Sequence, residues 1–444
     1  MNGHNPLGYH LLNLALHLVA VWLLWDTLRQ VVPEKAAWIG SALFAVHPFQ
    51  AEPVNYIFAR GTILAAVFCL ASLASWVRDR RWWAVAWFGC ALLAKEECVA
   101  FPAVIVLLEF RKRSMRTDGG PAMKMVLWPI ASMFALAILA GVRVLIASAT
   151  IAGSGAGAQA GVSWTAYGLT QGIVILRYAR MLILPWGFTV DPDIPLPPVW
   201  LGVLAWLAVG SLAAALIVLM LRGRQAALWF VVGLILLLPS SSILPAADLA
   251  ADRRLYLPMI GFAAGAGLLL QGVRLPVTAG ILVLLTALSA VRTGTWTTET
   301  SLWQDAADKA PSKLRPKLQL ARAVEPGRAL EILKDAQQRA PNDPRIASEQ
   351  GRIYLSSGRP DLALVAFGRA LALAPRSSDA LNNRGAALLA LKQRDAAQAD
   401  FERALAINAC QFDARLNLEH LGLKTPAPAG CRFSHEQLEQ LRGR

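Results

Sequence analysis

The sequence predicts an all-α protein made of two parts: a polytopic transmembrane helix bundle, then a superhelix of paired helices. Three observations carry that prediction. Apolar residues make up 56% of the 444-residue chain and charged residues only 16%, where a soluble domain carries nearer a quarter charged residues. The apolar excess is confined to the part before about residue 292, in runs such as GILVLLTALSAV. Beyond residue 297 the chain turns polar and helix-prone, and from residue 317 it repeats every 34 residues.

In the first part, apolar segments able to span lie at about 9–28, 36–47, 60–77, 82–94, 98–110, 124–147, 199–221, 226–245, 255–273 and 275–292. Several fall short of the roughly 20 residues needed to cross ~30 Å of hydrocarbon, so their helices must run into the flanks. Segment 164–184 differs: Arg177 and Arg180 stand three apart, with Tyr167, Gln171 and Tyr178 among its apolar residues. That composition predicts an amphipathic helix lying in the interface, or a re-entrant one.

The formal charge of +14 would point to nucleic acid only if the basic residues formed a patch. They sit instead in short loops between apolar runs: Arg78, Arg80 and Arg81; Arg111, Lys112, Arg113 and Arg116; Arg222 and Arg224; Arg274. This pattern reports topology, with these loops cytoplasmic. The expected partner is therefore the lipid bilayer, and no nucleic acid. Alternation is then satisfied by ten crossings plus one interfacial helix, with both termini outside.

That parity places the polar stretches HPFQAEPVNYIFAR, AKEEC, WGFTVDPDIP and PAADLAADRRLYLP on one non-cytoplasmic face. Charges at membrane depth cost about 2.5–3.5 kcal/mol each and mark pathways or sites. The plainer reading of any one of these residues is structural, since Arg and Lys snorkel near helix ends and Asp–Arg pairs staple loops. Four stretches converging on one face favour a polar, outward-facing cavity.

Cys69, Cys90 and Cys98 fall in or beside apolar runs, and no C-x-x-C spacing occurs, which argues against zinc and iron–sulfur sites. Cys410 and Cys431 can pair if their part faces an oxidising compartment; two free thiols are the alternative. The sequence demands no cofactor; the loop acids are chemically able to take Mg²⁺ or Mn²⁺, although no spacing demands a divalent metal.

In the polar part, Gly351 returns as Gly385, Ala363 as Ala397, Phe367 as Phe401, Ala370 as Ala404 and Pro341 as Pro375. One period earlier stand Ala329, Leu333 and Ala336. This is the tetratricopeptide period, two antiparallel helices per unit with small residues where helices touch. The first unit is degraded, because Pro311 precedes Lys317 by only six residues where Pro341 and Pro375 precede their glycines by ten. FDARLNLEHLGL starts a further unit that serves as a cap. The domains are therefore 1–296 membrane, 297–423 repeat array, and 424–444 linker with a short helix in SHEQLEQLRGR. His420 and His435 read as solvated surface residues.

NPLGYHLLNLALH, FAVHPFQAEPVNYIFAR, LLAKEE, FTVDPDIP, PSSSILPAADLAADRRLYLP, TWTTETSLW and the repeats together resemble the transmembrane-and-TPR protein O-mannosyltransferase-like family, in its bacterial form. That family belongs to the C-type, lipid-phosphate-sugar glycosyltransferase superfamily. The resemblance implies a multi-pass protein of the bacterial inner membrane with its array in the periplasm. It implies transfer of a sugar from a polyprenyl-phosphate donor to a protein or peptide acceptor that the array presents, an O-mannosylation type of reaction. On that reading Glu52, Asp191, Asp193 and Asp248 are the candidate catalytic acids, since the acceptor hydroxyl needs a carboxylate base. His47, Arg60, Lys95, Glu96, Asp252, Arg253, Arg254 and Tyr256 are the candidates to hold donor and phosphate.

Three departures accompany the resemblance. Relatives start with one more membrane helix and a first outer loop bearing the acid taken as base, whereas this chain opens at MNGHNPLGYH, within what resembles the end of that loop. The chain therefore reads as N-terminally truncated. Relatives carry Arg-x-Asp where this chain has Arg60, Gly61 and Thr62, and a tyrosine where Arg254 stands. A non-catalytic, membrane-anchored scaffold for protein–protein interaction is the alternative. A transporter of a lipid-linked anion is disfavoured because the polar groups cluster at one face, not near the midplane.

Overall fold

The computed structural model describes residues 6–114, 123–150, 161–241, 245–246, 248–423, 425–426, 428, 430–434, 437 and 439–440. Every regular element among them is a helix. The chain divides into two compact units, Met1–Thr297 and Thr298–Arg444.

The first unit contains α1 (Leu7–Leu28), α2 (Glu34–Val46), the short α3 (Ala51–Asn55), α4 (Arg60–Val77), α5 (Arg81–Ala94), α6 (Phe101–Ser114), α7 (Met123–Thr150), α8 (Trp164–Ile183), α9 (Val199–Leu221), α10 (Gln225–Leu237), α11 (Met259–Leu270) and α12 (Leu275–Gly294). Stretches Leu7–Leu28, Ile57–Val77, Lys124–Ser148, Val199–Leu221 and Leu275–Gly294 are long and apolar enough to cross a membrane, while α10 and α11 are shorter apolar helices. Large apolar side chains such as Leu207 and Val283 point outward on α9 and α12, as a lipid-facing surface requires. Glycine sets the closest packing. A Cβ on Gly267 of α11 would stand 2.4 Å from the Ala36 carbonyl of α2, and one on Gly261 would stand 2.3 Å from the Gly233 nitrogen of α10. Backbones approach that closely only over small residues.

Two expected spans are shorter than their apolar runs. The 226–245 run is helical only to Leu237, because Pro239 lacks an N–H and its ring clashes with the carbonyl four residues back. The 255–273 run becomes helix only after Pro258, the N-cap of α11; Asp252–Leu255 forms a 3₁₀ turn. Residues 242–244 and 247 of the PSSSILPAADLAADRRLYLP stretch lie outside the described residues, as do Arg116 and His435. α8 buries Tyr167, Gln171, Val174 and Tyr178, a stripe at helical spacing. The Trp206 indole of α9 donates to the Gly168 carbonyl of α8 at 2.7 Å.

The basic loops gather at one end of this bundle. Arg29 and Arg78 both reach Asp26, Arg81 and Lys112 reach Asp79 at 2.9 and 3.1 Å, and Arg111 donates to the Gly223 carbonyl. Gln225 donates to the Val31 carbonyl and Lys35 to that of Val273. These bonds join the C-terminal ends of α1, α4, α6, α9 and α11 to the N-terminal ends of α2, α5 and α10.

The second unit contains α13 (Glu299–Lys309), α14 (Leu314–Ala323), α15 (Pro326–Arg339), α16 (Pro344–Ser356), α17 (Pro360–Leu373), α18 (Ser378–Ala390), α19 (Arg394–Ile407) and α20 (Phe412–His420). Repeat glycines face repeat phenylalanines: a Cβ on Gly351 or Gly385 would lie 2.6 Å from the ring of Phe367 or Phe401. In the degraded unit Lys317 occupies the glycine position and reaches Asp335 at 2.6 Å. α13 lies within the 297–423 array but ahead of the residues that show the 34-residue period, and it ends as the second helices do. The Ala310 N–H bonds the Ala306 carbonyl as Ala340 bonds Ala336 and Ala374 bonds Ala370. Cys410 and Cys431 form a disulfide. Of the helix expected in 434–444, Gln437, Glu439 and Gln440 are helical, and most of the rest lies outside the described residues.

Candidate functional site

His47 ends α2 in an extended conformation, and its Nδ1 accepts from the Phe49 N–H at 3.3 Å. This caps a 3₁₀ turn at Pro48–Gln50, and the ring stacks on Phe49 with centroids 5.2 Å apart. The turn carries the chain into α3, whose Glu52 is buried. Both Glu52 oxygens are occupied by one residue: Arg253 Nη1 donates to Oε1 at 2.9 Å and its backbone N–H to Oε2 at 3.2 Å. Arg253 Nη2 donates to Asp248 Oδ2 at 2.9 Å. Asp252, equally buried, accepts from Arg177 Nη1 at 2.7 Å and from the Thr189 N–H at 3.2 Å. Acids and bases from three chain segments thus meet in one cluster, joined by the Thr189 backbone from a fourth.

Burial dominates its electrostatics. It pushes the Glu52 carboxyl up to about 7, against the pull of Arg253 and with help from the Asp252 charge. It pushes His47 down to about 4. Arg253 is held above the usual guanidinium range by its two carboxylates, Glu52 foremost, which outweigh its own burial.

A second basic group borders the first. Arg60 opens α4 and donates through Nε to Asn13 Oδ1 at 3.0 Å, with its guanidinium 5.3 Å from the Tyr9 ring. Its buried Nη2 meets no hydrogen-bond partner among the described residues. Asn13 in turn donates to the Val54 carbonyl at 3.2 Å, next to the Glu52 turn. Lys95, at the end of α5, donates to Thr62 in the first turn of α4 at 2.8 Å and pairs with Glu97 at 2.8 Å. The continuous run Ile57–Val77 begins without a side-chain cap, and a helix start carries partial positive charge.

The structure therefore brings Glu52, Asp248 and Arg253 into direct contact, pairs the neighbouring Asp252 with Arg177, and sets Arg60 and Lys95 at the same bundle end. Asp191 is buried two residues beyond Thr189, and Asp193 is partly exposed on the same loop. Three of the expected donor-binding residues are placed differently. Arg254 is buried and donates to the carbonyls of Asp248 and Leu249, at 2.6 and 3.3 Å, and to Tyr167 at 3.4 Å. Tyr256 is fully buried and shares a 2.8 Å hydrogen bond with His17 of α1. Glu96 is exposed. Arg177 and Asn13 belong to the site although sequence reading did not select them. The signal for Arg177 was a cation on the buried stripe of an amphipathic segment; Asn13, mid-helix in an apolar run, gave a fainter one. Among the described residues no three His, Cys, Asp or Glu side chains are arranged to hold a metal ion.

A tetratricopeptide-repeat family model matches residues 378–409, the α18–α19 pair, and the chain carries such repeats. Among curated proteins it is similar to Protein O-mannosyl-transferase Tmtc1 of Drosophila melanogaster, 38% identical over 84 residues, covering 18% of this chain and 10% of that protein. It is also similar to Protein O-mannosyl-transferase F38B6.6 of Caenorhabditis elegans, 23% identical over 336 residues, covering 70% of this chain and 47% of that protein. The chain thus matches less than half the length of these relatives. Among solved structures it aligns with the Cut9–Hcn1 hetero-tetramer of the APC/C at 14% identity, covering 91% of this chain and 84% of that one. The TM-score there is 0.27, too low to carry an argument.

Proposed function

We propose that this chain is a membrane glycosyltransferase-like protein that moves a sugar from a polyprenyl-phosphate donor to a hydroxyl of a protein acceptor, with the repeats presenting the acceptor. On this reading it spans the bacterial inner membrane ten times, α8 lies at the interface, and the site and repeats face the periplasm. The observation that carries the reading is the basic corner at the start of α4. There Arg60 keeps a guanidinium nitrogen without a partner among the described residues, Lys95 stands against the same helical turn, and the helix end adds its own partial charge. A phosphate at the membrane surface is the ligand such a corner suits.

The chemistry assigned to it balances simply. The acceptor oxygen attacks the anomeric carbon, its proton passes to a carboxylate, and the bond from that carbon to the phosphate oxygen breaks, releasing polyprenyl phosphate. Glu52 is clamped at both oxygens by Arg253 and is assigned the role of fixing that arginine. Asp193 and Asp248 are partly exposed and are assigned as candidate bases; Asp191 orders their loop. A divalent metal is not required by this scheme.

The test supplies purified full-length protein with polyprenyl-phosphate mannose and a serine-containing peptide, and measures free polyprenyl phosphate and mannosylated peptide. The expected result is release that falls at least a hundredfold in R60Q and in K95Q, with the loss of one base costing on the order of 10²–10⁴-fold. No release at saturating donor and acceptor would overturn the reading. One observation favours the scaffold alternative: Arg253 spends both amino groups on Glu52 and Asp248, as a purely structural arginine would. Under that alternative R60Q and K95Q leave function untouched, and substitutions on the repeats abolish it.

A further inference from the structure

A second cavity lies at the opposite, basic end of the bundle, away from the cluster around Glu52. It encloses about 610 Å³ between the C-terminal ends of α1, α4 and α6 and the N-terminal end of α10, within the range of small-molecule sites. Its inner walls are apolar, formed by Leu73, Leu108 and the buried Trp229. Its mouth is polar, with Arg111, Lys112 and Gln225.

Among the described residues one acid lines this cavity, and it is already neutralised. Glu109 accepts from Arg113 Nε at 3.0 Å and from the Trp76 indole at 3.3 Å. Among the described residues Lys112 is held by Asp79, whose side chain is 53% exposed. Such a surface pair is worth little in water, so the ammonium can turn to a stronger anion at small cost. Arg111 lends a hydrogen bond to the Gly223 carbonyl, and a guanidinium has donors enough to hold a phosphate oxygen as well as a neutral acceptor. A space apolar within and cationic at its rim is complementary to a molecule with an anionic head and a hydrocarbon body. Basic pockets between helices at such an end bind acidic lipid headgroups.

We propose that this cavity binds one anionic phospholipid, with its phosphate against Arg111 and Lys112 and the start of an acyl chain between Leu73, Leu108 and Trp229. The occupant is a lipid rather than a free phosphate ester, because the greater part of the wall offers no hydrogen-bonding group. The site is separate from the proposed transfer centre, and its occupancy does not depend on any sugar donor.

Native mass spectrometry of the full chain in detergent, incubated with dilauroyl phosphatidylglycerol, tests this. One phosphatidylglycerol is expected to be retained at least tenfold more than dilauroyl phosphatidylcholine, and R111Q/K112Q is expected to erase that preference. Leu108→Trp, which fills the cavity, is expected to prevent retention. Equal retention of the two lipids by the wild-type protein would overturn the proposal. So would unchanged preference in R111Q/K112Q, or retention that survives in folded L108W. Glycerol 3-phosphate competing as strongly as the lipid would show that only the phosphate is read, which also overturns it.

Discussion

His47 and Glu52 stand five residues apart and are driven in opposite directions by one cause. Burial disfavours charge, so the histidine is pushed down to about 4 and the carboxyl up to about 7. Their effects on stability therefore have opposite signs. The unfolded chain protonates His47 near pH 6.5 and the folded chain only near 4, so its contribution is present above pH 6.5 and lost as pH falls toward 4. The unfolded chain releases the Glu52 proton near 4.5 and the folded chain near 7, so its contribution is present below pH 4.5 and lost as pH rises through 7. His47→Asn keeps an acceptor for the Phe49 N–H. It is expected to flatten the fall in melting temperature between pH 6.5 and 4, as thermal melts across that range would show. Melts that fall as steeply as in the wild type would refute it. Arg253→Gln is expected to cost about 3–5 kcal/mol, because it leaves Glu52 buried without its partner. The double variant E52Q/R253Q should lose much less, which a denaturant double-mutant cycle measures. At this scale the sequence offered the ionisable residues but not their pairing. That Arg253 would meet Glu52 across 200 intervening residues, or that Arg254 and Tyr256 would turn into the protein, depends on packing that no local pattern encodes.

At the scale of elements, glycine separates two kinds of position that look alike in sequence. Gly351 and Gly385 stand where a first helix of a repeat crosses the phenylalanine of the second; Gly368 of α17 has open space where its Cβ would be. Gly351→Ala should therefore cost about 1–3 kcal/mol through overpacking against Phe367. Gly368→Ala should be neutral or stabilise by up to about 1 kcal/mol. Equal effects in hydrogen exchange of the repeat unit would contradict this account. The disulfide closes a 21-residue separation, and in the chain-entropy picture its reduction should loosen the segment around α20 by about 3 kcal/mol. Cys410→Ser, followed by exchange in α20, measures it. Helix positions and the 34-residue period were legible because they rest on local periodicity. The early stop of α10 was legible only in its cause, Pro239. α13 was hidden because its spacing to the next unit is shortened to 30 residues, judged by Ala306 and Ala336.

For the whole molecule, the parity of basic loops expects two chemically distinct bundle ends, and the side-chain contacts sort the same way. Arg78, Arg81, Arg111 and Lys112 collect with the ends of α1, α6 and α10, while Glu52, Arg60, Lys95 and Arg253 collect at the other end. If the second end faces outward, a cysteine at Glu96 should react with a membrane-impermeant maleimide in intact cells, and one at Arg222 should react only after lysis. The reverse labelling would invert the topology and remove the periplasmic site.

Sequence by itself determined the all-α class, the membrane and repeat parts, and the stock of acids and bases held in loops. These follow from composition and period, which act over a turn or two of helix. Tertiary structure decided which of those residues share a site, which are consumed as internal struts, and where a cavity opens among the basic loops. Such matters depend on contacts between segments far apart in the chain, and their energies appear only when helices are packed and water is excluded.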